Sequence, residues 1–214
     1  MSETIDRRRL RGDASRRIVL ERATDLASVE GLDGLTIGRL AESAGMSKSS
    51  IATLFGGKEA LQLAAVAAAA EVFREVVVEP VRVQPRGTRR LAMLMRSALD
   101  YSRTRVFTGG CFFAATAADV DSKPGPVRDS VRGWLRDWYG YVEAQARHAA
   151  EAGELRADEG TVRRLAFELV ALDNEANARS LMTGDDSAYD LAAAAMRDRL
   201  LALGARPEDL EALA

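Results

Sequence analysis

The sequence predicts an all-α protein of about nine helices, with three short N-terminal helices ahead of a larger helical bundle. Three observations lead there. Ala, Leu, Arg and Glu, all good helix formers, dominate the 214 residues. Apolar side chains recur at three- and four-residue spacing, and no run alternates strictly as a half-buried strand would. Glycine and proline clusters punctuate the chain at helical intervals: Gly56-Gly57, Pro80 to Pro85, Gly109-Gly110, Pro124-Gly125-Pro126, Gly153 to Gly160, and Gly184.

The first helix is expected from about Asp13 or Ser15 to Glu30, with Val19, Ala23, Leu26 and Ala27 on one side and Gly31 ending it. Thr36 is placed to cap a second helix, whose Ile37, Leu40, Ala41 and Ala44 fall at i, i+3, i+4 and i+7. Gly45 suits a left-handed turn, with Met46 packing beneath it. Ser47 caps a third helix that buries Ile51 and either Leu54 or Phe55. A long fourth helix opens at Lys58-Glu59 and runs toward Val78. Further helices are expected at about 87–107, 111–121, 125–152, 159–182 and 187–203.

Composition narrows the function. One Cys and one His leave no disulfide framework, no Cys-rich zinc site and few metal ligands or general bases, so no catalytic, metal or cofactor site is expected. No nucleophile elbow or phosphate-cradling glycine loop is present, and Gly56-Gly57-Lys58 is too short a fragment to count as one. The Ala-rich run at residues 60–70 falls well short of the ~20 residues that span a bilayer. The Arg-rich N-terminus has no apolar segment behind it and does not read as a secretory signal. A cytoplasmic protein with no membrane partner is expected. Net charge is only -2, but it is unevenly spread. Residues 1–17 carry six Arg against Glu3, Asp6 and Asp13, whereas residues 62–214 carry 20 basic against 23 acidic side chains. A basic arm ahead of an acidic body is a common layout for DNA binding, though a solvated tail would look the same.

Residues 36–58 hold the most specific signal. Two short helices joined by a glycine turn describe a helix-turn-helix, in which the first helix braces the second so that its polar end enters the major groove. Ile37, Leu40, Ala41, Met46 and Ile51 form the bracing face. Ser47, Lys48, Ser49, Ser50 and Thr53 form the offered face, small or basic groups that reach phosphates and base edges.

The run Leu35-Thr36-Ile37-Gly38-Arg39-Leu40-Ala41-Glu42-Ser43-Ala44-Gly45-Met46-Ser47-Lys48-Ser49-Ser50-Ile51, with Phe55 and Gly57-Lys58-Glu59-Ala60-Leu61 after it, resembles the tetracycline-repressor (TetR) family over about residues 13–73. The resemblance implies an all-helical homodimer. It divides into a basic arm (1–12), a DNA-binding head (13–60, motif 36–55), a connecting helix (61–79), and a body for ligand binding and dimerisation (80–214). It implies a regulator, with the role of a repressor, that binds a palindromic operator in double-stranded DNA and is released by a small-molecule effector. Thr36 resembles the family's phosphate-binding hydroxyl, Ser47 to Ser50 the entry end of the recognition helix, and Lys58 its backbone-contacting lysine. Three positions depart. Ala52 stands where Tyr is usual, Leu54 where His is frequent, and Gly38 where a polar residue is usual. A lean base readout follows, with Ala52 touching a thymine methyl, Arg39 reading from the second helix, and Arg7, Arg8, Arg9 and Arg11 adding phosphate or minor-groove contacts. These departures also leave room for a helix-turn-helix scaffold that acts through protein or ligand contacts without DNA.

For the effector, a lipophilic or aromatic molecule, the candidate lining is Met93, Tyr101, Cys111, Phe112, Trp134, Trp138 and Tyr141, with Met95, Phe107 and Phe113 nearby. Most of these would serve equally well as plain core. Arg103 and Arg105 on the same stretch leave a charged ligand open. Cys111, at a helix start, reads either as a redox thiol or as an inert buried one, and His148 as a polar helix end. Leu165, Ala166, Leu169, Val170, Leu172, Ala176 and Leu181, then Leu191, Ala194, Ala195, Leu200 and Leu201, mark two helices expected to pair with their copies in a four-helix dimer interface. Asp173, Asn174, Glu175 and Asn177 interrupt the first stripe, either facing solvent or sitting at the interface or pocket mouth.

Overall fold

The computed structural model describes the backbone from Ser2 to Ala214 and the side chains from Ser15 onward. Among the described residues there are nine α-helices and no strand: α1 (Ser2–Gly34), α2 (Ile37–Ala44), α3 (Lys48–Phe55), α4 (Lys58–Phe73), α5 (Thr88–Arg103), α6 (Phe112–Val120), α7 (Pro126–Glu151), α8 (Glu159–Thr183) and α9 (Ser187–Ala202). The helix starts and stops largely match the expected punctuation, but α5 ends at Arg103, short of residue 107. Two further places differ. The backbone of α1 is already helical from Ser2, ahead of Asp13, because the Arg-rich segment holds good helix formers and no proline. The fourth helix leaves α-geometry after Phe73, passes through a π turn (Arg74–Val78), and tightens into a 3-10 turn at Glu79–Val81, where Pro80 supplies no N–H.

The chain forms two compact units. The first comprises residues 1–71 and 107–131, so α6 belongs with the N-terminal helices although it lies far along the sequence. Val19, Ala23 and Ala27 of α1 are fully buried, as are Leu32, Leu35, Leu40 and Ile51 around the helix-turn-helix. Gly31 (φ 73, ψ 172) breaks α1, and the turn beyond it is held by Gln62, whose Nε2 donates to the Leu32 carbonyl at 2.5 Å. Small residues let the backbone before α6 approach α1 closely. The Gly109 N–H donates to Ser28 Oγ at 3.0 Å, and a Cβ on Gly109 would lie 2.0 Å from the Ser28 carbonyl oxygen. Asp25 accepts from the Thr108 N–H (2.7 Å) and hydroxyl (3.1 Å), and Asp119 accepts from the Asp33 N–H at 2.9 Å.

The second unit comprises residues 72–106 and 132–214. Its core gathers Leu91, Leu94, Met95 and Leu99 of α5, Val142 and Ala146 of α7, Leu165 and Leu169 of α8, and Tyr189 and Met196 of α9. Phe73 lies edge-on to Tyr101, Trp134 and Trp138, with ring centroids 4.9–5.1 Å apart. Arg105, the one non-glycine residue at positive φ (55°) among those described, closes the end of α5. Its guanidinium donates to the Ser102 carbonyl (3.1 Å), Tyr189 OH (3.1 Å) and Ser180 Oγ (2.7 Å). Arg103 pairs through both terminal nitrogens with Asp190, at 2.6 and 3.3 Å.

Candidate nucleic-acid interface and effector cavity

Local cap chemistry builds the helix-turn-helix. Thr36 Oγ1 accepts from the Arg39 N–H at 3.2 Å and opens α2. Gly45, at φ 63 and ψ 31, lets the chain turn back, and the Met46 N–H closes on the Ala41 carbonyl at 2.9 Å. Ser47 Oγ accepts from the Ser50 N–H at 3.1 Å and opens α3, and Gly56 (φ 81) ends it. Leu40, Ala41 and Ile51 are buried as a brace should be, while Ile37 and Met46 are half-buried. Of the two candidates near the end of α3, Phe55 is the buried one and Leu54 is half-exposed. Arg16 holds that end from α1, donating to the Leu54 carbonyl at 2.6 Å and lying 4.5 Å over the Phe55 ring.

The polar face points outward. Ser47, Lys48, Ser49 and Thr53 are exposed, and Ser50 and Ala52 half-exposed. Their hydroxyls are partly engaged with each other: Ser47 Oγ lies 2.9 Å from Ser49 Oγ and 2.8 Å from Ser50 Oγ, and Thr53 Oγ1 donates to the Ser49 carbonyl. Gly38 explains part of the departure from a polar residue there. A Cβ at this position would sit 3.5 Å from Lys48 Cε, 3.7 Å from its Nζ and 3.9 Å from Thr36 Oγ1. The bare backbone therefore lets Lys48 reach back from α3 over the start of α2. There its ammonium joins the Thr36 hydroxyl and the exposed N–H groups of a helix N-terminus, a setting that favours anions.

Two of the expected contact residues are already engaged. Arg39 is clamped by Glu30, with Nε donating to Oε2 at 3.2 Å and a second, shorter bond from Nη2 to Oε1. Lys58 Nζ donates to the Asp33 carbonyl at 3.0 Å. Lys123 bridges Asp33 (2.7 Å) and Asp119 (2.8 Å), and those bonds push its pKa up to about 12. Burial acts to raise the Asp119 carboxyl, but the Lys123 ammonium and the backbone N–H groups outweigh it and hold it below the usual range. Arg7, Arg8, Arg9 and Arg11 lie outside the residues whose side chains are described.

The expected effector residues do not converge on one place. Cys111 and Phe112 are buried in the first unit, Cys111 as the N-cap residue of α6 and Phe112 against Phe107 and Phe113. That burial fits the inert reading of the thiol. Trp134 and Trp138 stack at 6.4 Å, 19° from parallel, and with Phe73 they fill the space they were expected to line. The Tyr141 hydroxyl is buried without a hydrogen-bond partner among the described residues. Of the expected residues, Met93 and Tyr101 line a cavity in the second unit, a space of about 300 Å³ beside the π turn. Val76, Val81, Arg96 and Asp100, which periodicity alone did not single out, complete much of its wall. Arg103 and Arg105 are committed to α8 and α9 and stay out of it. His148, at the end of α7, lies 3.6 Å from Glu151 as a helix-end polar group.

The described part of α8 leaves Asp173 and Asn177 buried and Glu175 exposed. Half of the apolar stripe expected to face a second subunit (Leu165, Ala166, Leu169, Val170, Ala176 and Leu200) is consumed inside the subunit's own core. The apolar face left outside is Phe167, Ala171, Ala178, Leu181 and Met182 of α8, with Leu191, Ala194 and Ala195 of α9. Phe167 is 65% and Met182 86% exposed, too much for large apolar groups with no further cover.

Residues 19–65 match the model of the bacterial regulatory proteins of the tetR family, and residues 87–196 match the tetracyclin repressor-like C-terminal domain. The chain belongs to the TetR family. This regulator is also similar in fold to solved relatives. A TetR transcriptional regulator from Chloroflexus aurantiacus is 23% identical, with a TM-score of 0.79 and cover of 89% of this chain and 94% of that one. A TetR-family regulator from Cytophaga hutchinsonii is 21% identical, with a TM-score of 0.78 and cover of 92% and 98%. AibR, solved with isovaleryl coenzyme A and operator DNA, is 18% identical, with a TM-score of 0.65 and cover of 77% and 86%. No curated protein matches the chain. The family consists of DNA-binding transcriptional regulators rather than enzymes, and no helix among the described residues is long and apolar enough to cross a membrane.

Proposed function

We propose that the chain is a transcriptional repressor that grips a palindromic operator as a homodimer and releases it when a small molecule occupies the second unit. The observation that carries this reading is the exposed face of α3, braced from behind by Leu40 and Ile51 and flanked by Lys48 and Thr36 at one helix N-terminus. Such an arrangement supplies cationic and hydrogen-bonding groups to phosphates and short side chains to base edges. Its symmetric use requires a second copy, and the uncovered apolar faces of α8 and α9 supply a surface for one. Two half-sites about 34–36 Å apart make affinity sensitive to the spacing of the paired recognition helices.

The cavity is the effector site of this reading. A molecule there presses on Tyr101 and Val76, next to Phe73, the last residue of α4, whose first residue is Lys58 of the head. Binding changes DNA affinity only to the extent that the ligand favours one helix spacing over the other. The test is a mobility shift with the DNA flanking the protein's own gene, repeated with Lys48→Ala and Lys58→Ala. A folded, dimeric protein with no preference for that DNA over unrelated duplex would overturn the repressor reading in favour of a scaffold that does not read DNA.

A further inference from the structure

The walls of the cavity decide much of the chemistry of its occupant. About 300 Å³ is the lower end of the range for small-molecule sites. Val76, Val81, Met93 and the Tyr101 ring give it an apolar side. One edge is charged: Arg96 and Asp100 stand four apart on α5, and Arg96 Nε donates to Asp100 Oδ2 at 3.0 Å. That bond uses the side of the guanidinium and fixes its plane. The two terminal nitrogens of Arg96 carry no hydrogen bond among the described residues, although the side chain is 34% exposed and lines the cavity.

Two other polar lining groups are already spent. Ser97 Oγ donates to the Val76 carbonyl at 3.2 Å, beside the π turn, and Thr104 Oγ1 donates to the Asp100 carbonyl at 2.8 Å. The strongest donor left over is therefore a pinned guanidinium edge that presents two parallel N–H directions. A carboxylate answers that fork with two oxygens, and few other groups do. A cationic head would meet Arg96 repulsion, and Asp100 is already partnered on one oxygen.

Resting on the assignment of this cavity as the effector site, we infer that its ligand is an amphiphilic monocarboxylate. Its head takes the outer edge of Arg96, and its apolar stem lies along Val76, Val81, Met93 and Tyr101. Asp100 orients the guanidinium and, as a like charge, disfavours dianions.

Three probes with one chain length test this on the full-length protein: octanoate, octanol and octylamine. Calorimetry gives affinity, and tryptophan emission reports through the Tyr101–Phe73–Trp134 contacts. Octanoate is expected to bind about tenfold more tightly than octanol, the ratio set by one charge-assisted hydrogen-bond pair, and octylamine not to bind. Arg96→Gln should erase the preference for octanoate over octanol, and Asp100→Asn should tighten octanoate. Octanol or octylamine binding as well as octanoate would overturn the carboxylate assignment and leave the cavity as a ligand site. Binding of octanoate with the same preference in Arg96→Gln would place the head elsewhere and also overturn it. If none of the three binds, the cavity assignment falls with it.

Discussion

Glu30 holds Arg39 through the Nε–Nη2 edge of its guanidinium, so a basic group in the first turn of α2 that the sequence offers to DNA already has an intramolecular partner. Contact with a phosphate or a base either uses the remaining Nη1 side, next to the Glu30 charge, or displaces Glu30. Glu30→Gln should therefore tighten operator binding and steepen its salt dependence by about one counterion. The pair is exposed and screened by solvent, so the gain should stay below roughly fivefold. Equilibrium binding across a salt series checks it. An unchanged slope would mean that Arg39 does not touch DNA.

Gly38 should tolerate a methyl group but not a long side chain. Alanine would make ordinary contact with Lys48, whose nearest atom is 3.5 Å away. Gln at this position would displace Lys48 from the start of α2. Operator affinity is expected to fall several-fold in Gly38→Gln and to hold in Gly38→Ala, with thermal unfolding near the parent value in both. Equal affinity in the two variants would show that the Lys48 position is immaterial.

Gly109→Ala is expected to destabilise the first unit by about 2 kcal/mol or more, since the new Cβ would overlap the Ser28 carbonyl at 2.0 Å. Denaturant unfolding measures the loss. Ser28→Ala, which removes the bond from the Gly109 N–H and the one that Ser28 Oγ donates to the Asp25 carbonyl but introduces no overlap, should cost less.

Asp173 has a pH signature of its own. It is 6% exposed, its Oδ1 has no hydrogen-bond partner among the described residues, and burial pushes its carboxyl up to about 7. The folded state then holds this proton more tightly than the unfolded chain does. Its contribution to stability is complete below the ordinary carboxylate range and drains away as pH rises through about 7. Asp173→Asn removes that dependence. The stability of the variant relative to the parent should improve between pH 5 and pH 8 by roughly 3 kcal/mol, two units at about 1.4 kcal/mol each. Parallel stability curves for the two proteins would count against a buried, protonating Asp173.

Phe167→Glu together with Leu191→Glu should shift the protein from dimer to monomer in sedimentation and weaken operator binding by more than tenfold, while leaving the helical spectrum intact. Charged groups at two exposed apolar sites oppose burial against a second copy and spare the subunit's own core. A dimer that survives both changes would place the interface elsewhere.

What could be read ahead of the structure was the locally determined part. Thr36, Gly45, Ser47 and Gly56 act within a few residues of themselves, through caps and turns whose chemistry is written in the side chain or its absence. The Glu30–Arg39 clamp could not be read that way, because it depends on how the break at Gly31 aims the end of α1 at α2. Gly109 looked like a helix break. Its second role, admitting Ser28 from 81 residues away, leaves no periodic trace. Phe167 stands apart from the periodic stripe on α8, most of which belongs to the interior. The aromatic residues of α7 read as pocket lining, yet Phe73 packs edge-on against both tryptophans, and the cavity lies beside the π turn.

The polypeptide visits the N-terminal unit twice, first through residue 71 and again from 107 to 131. A single cut near residue 79 would strip α1 of α6 and orphan Asp25, Ser28 and Asp119, so the DNA-reading part cannot be excised as one stretch. Recombination between relatives meets the same obstacle. Exchange of sensory halves by one crossover would marry an α1 to a foreign α6, whereas three junctions, near 71, 106 and 131, would carry the cover across with the helix it seals.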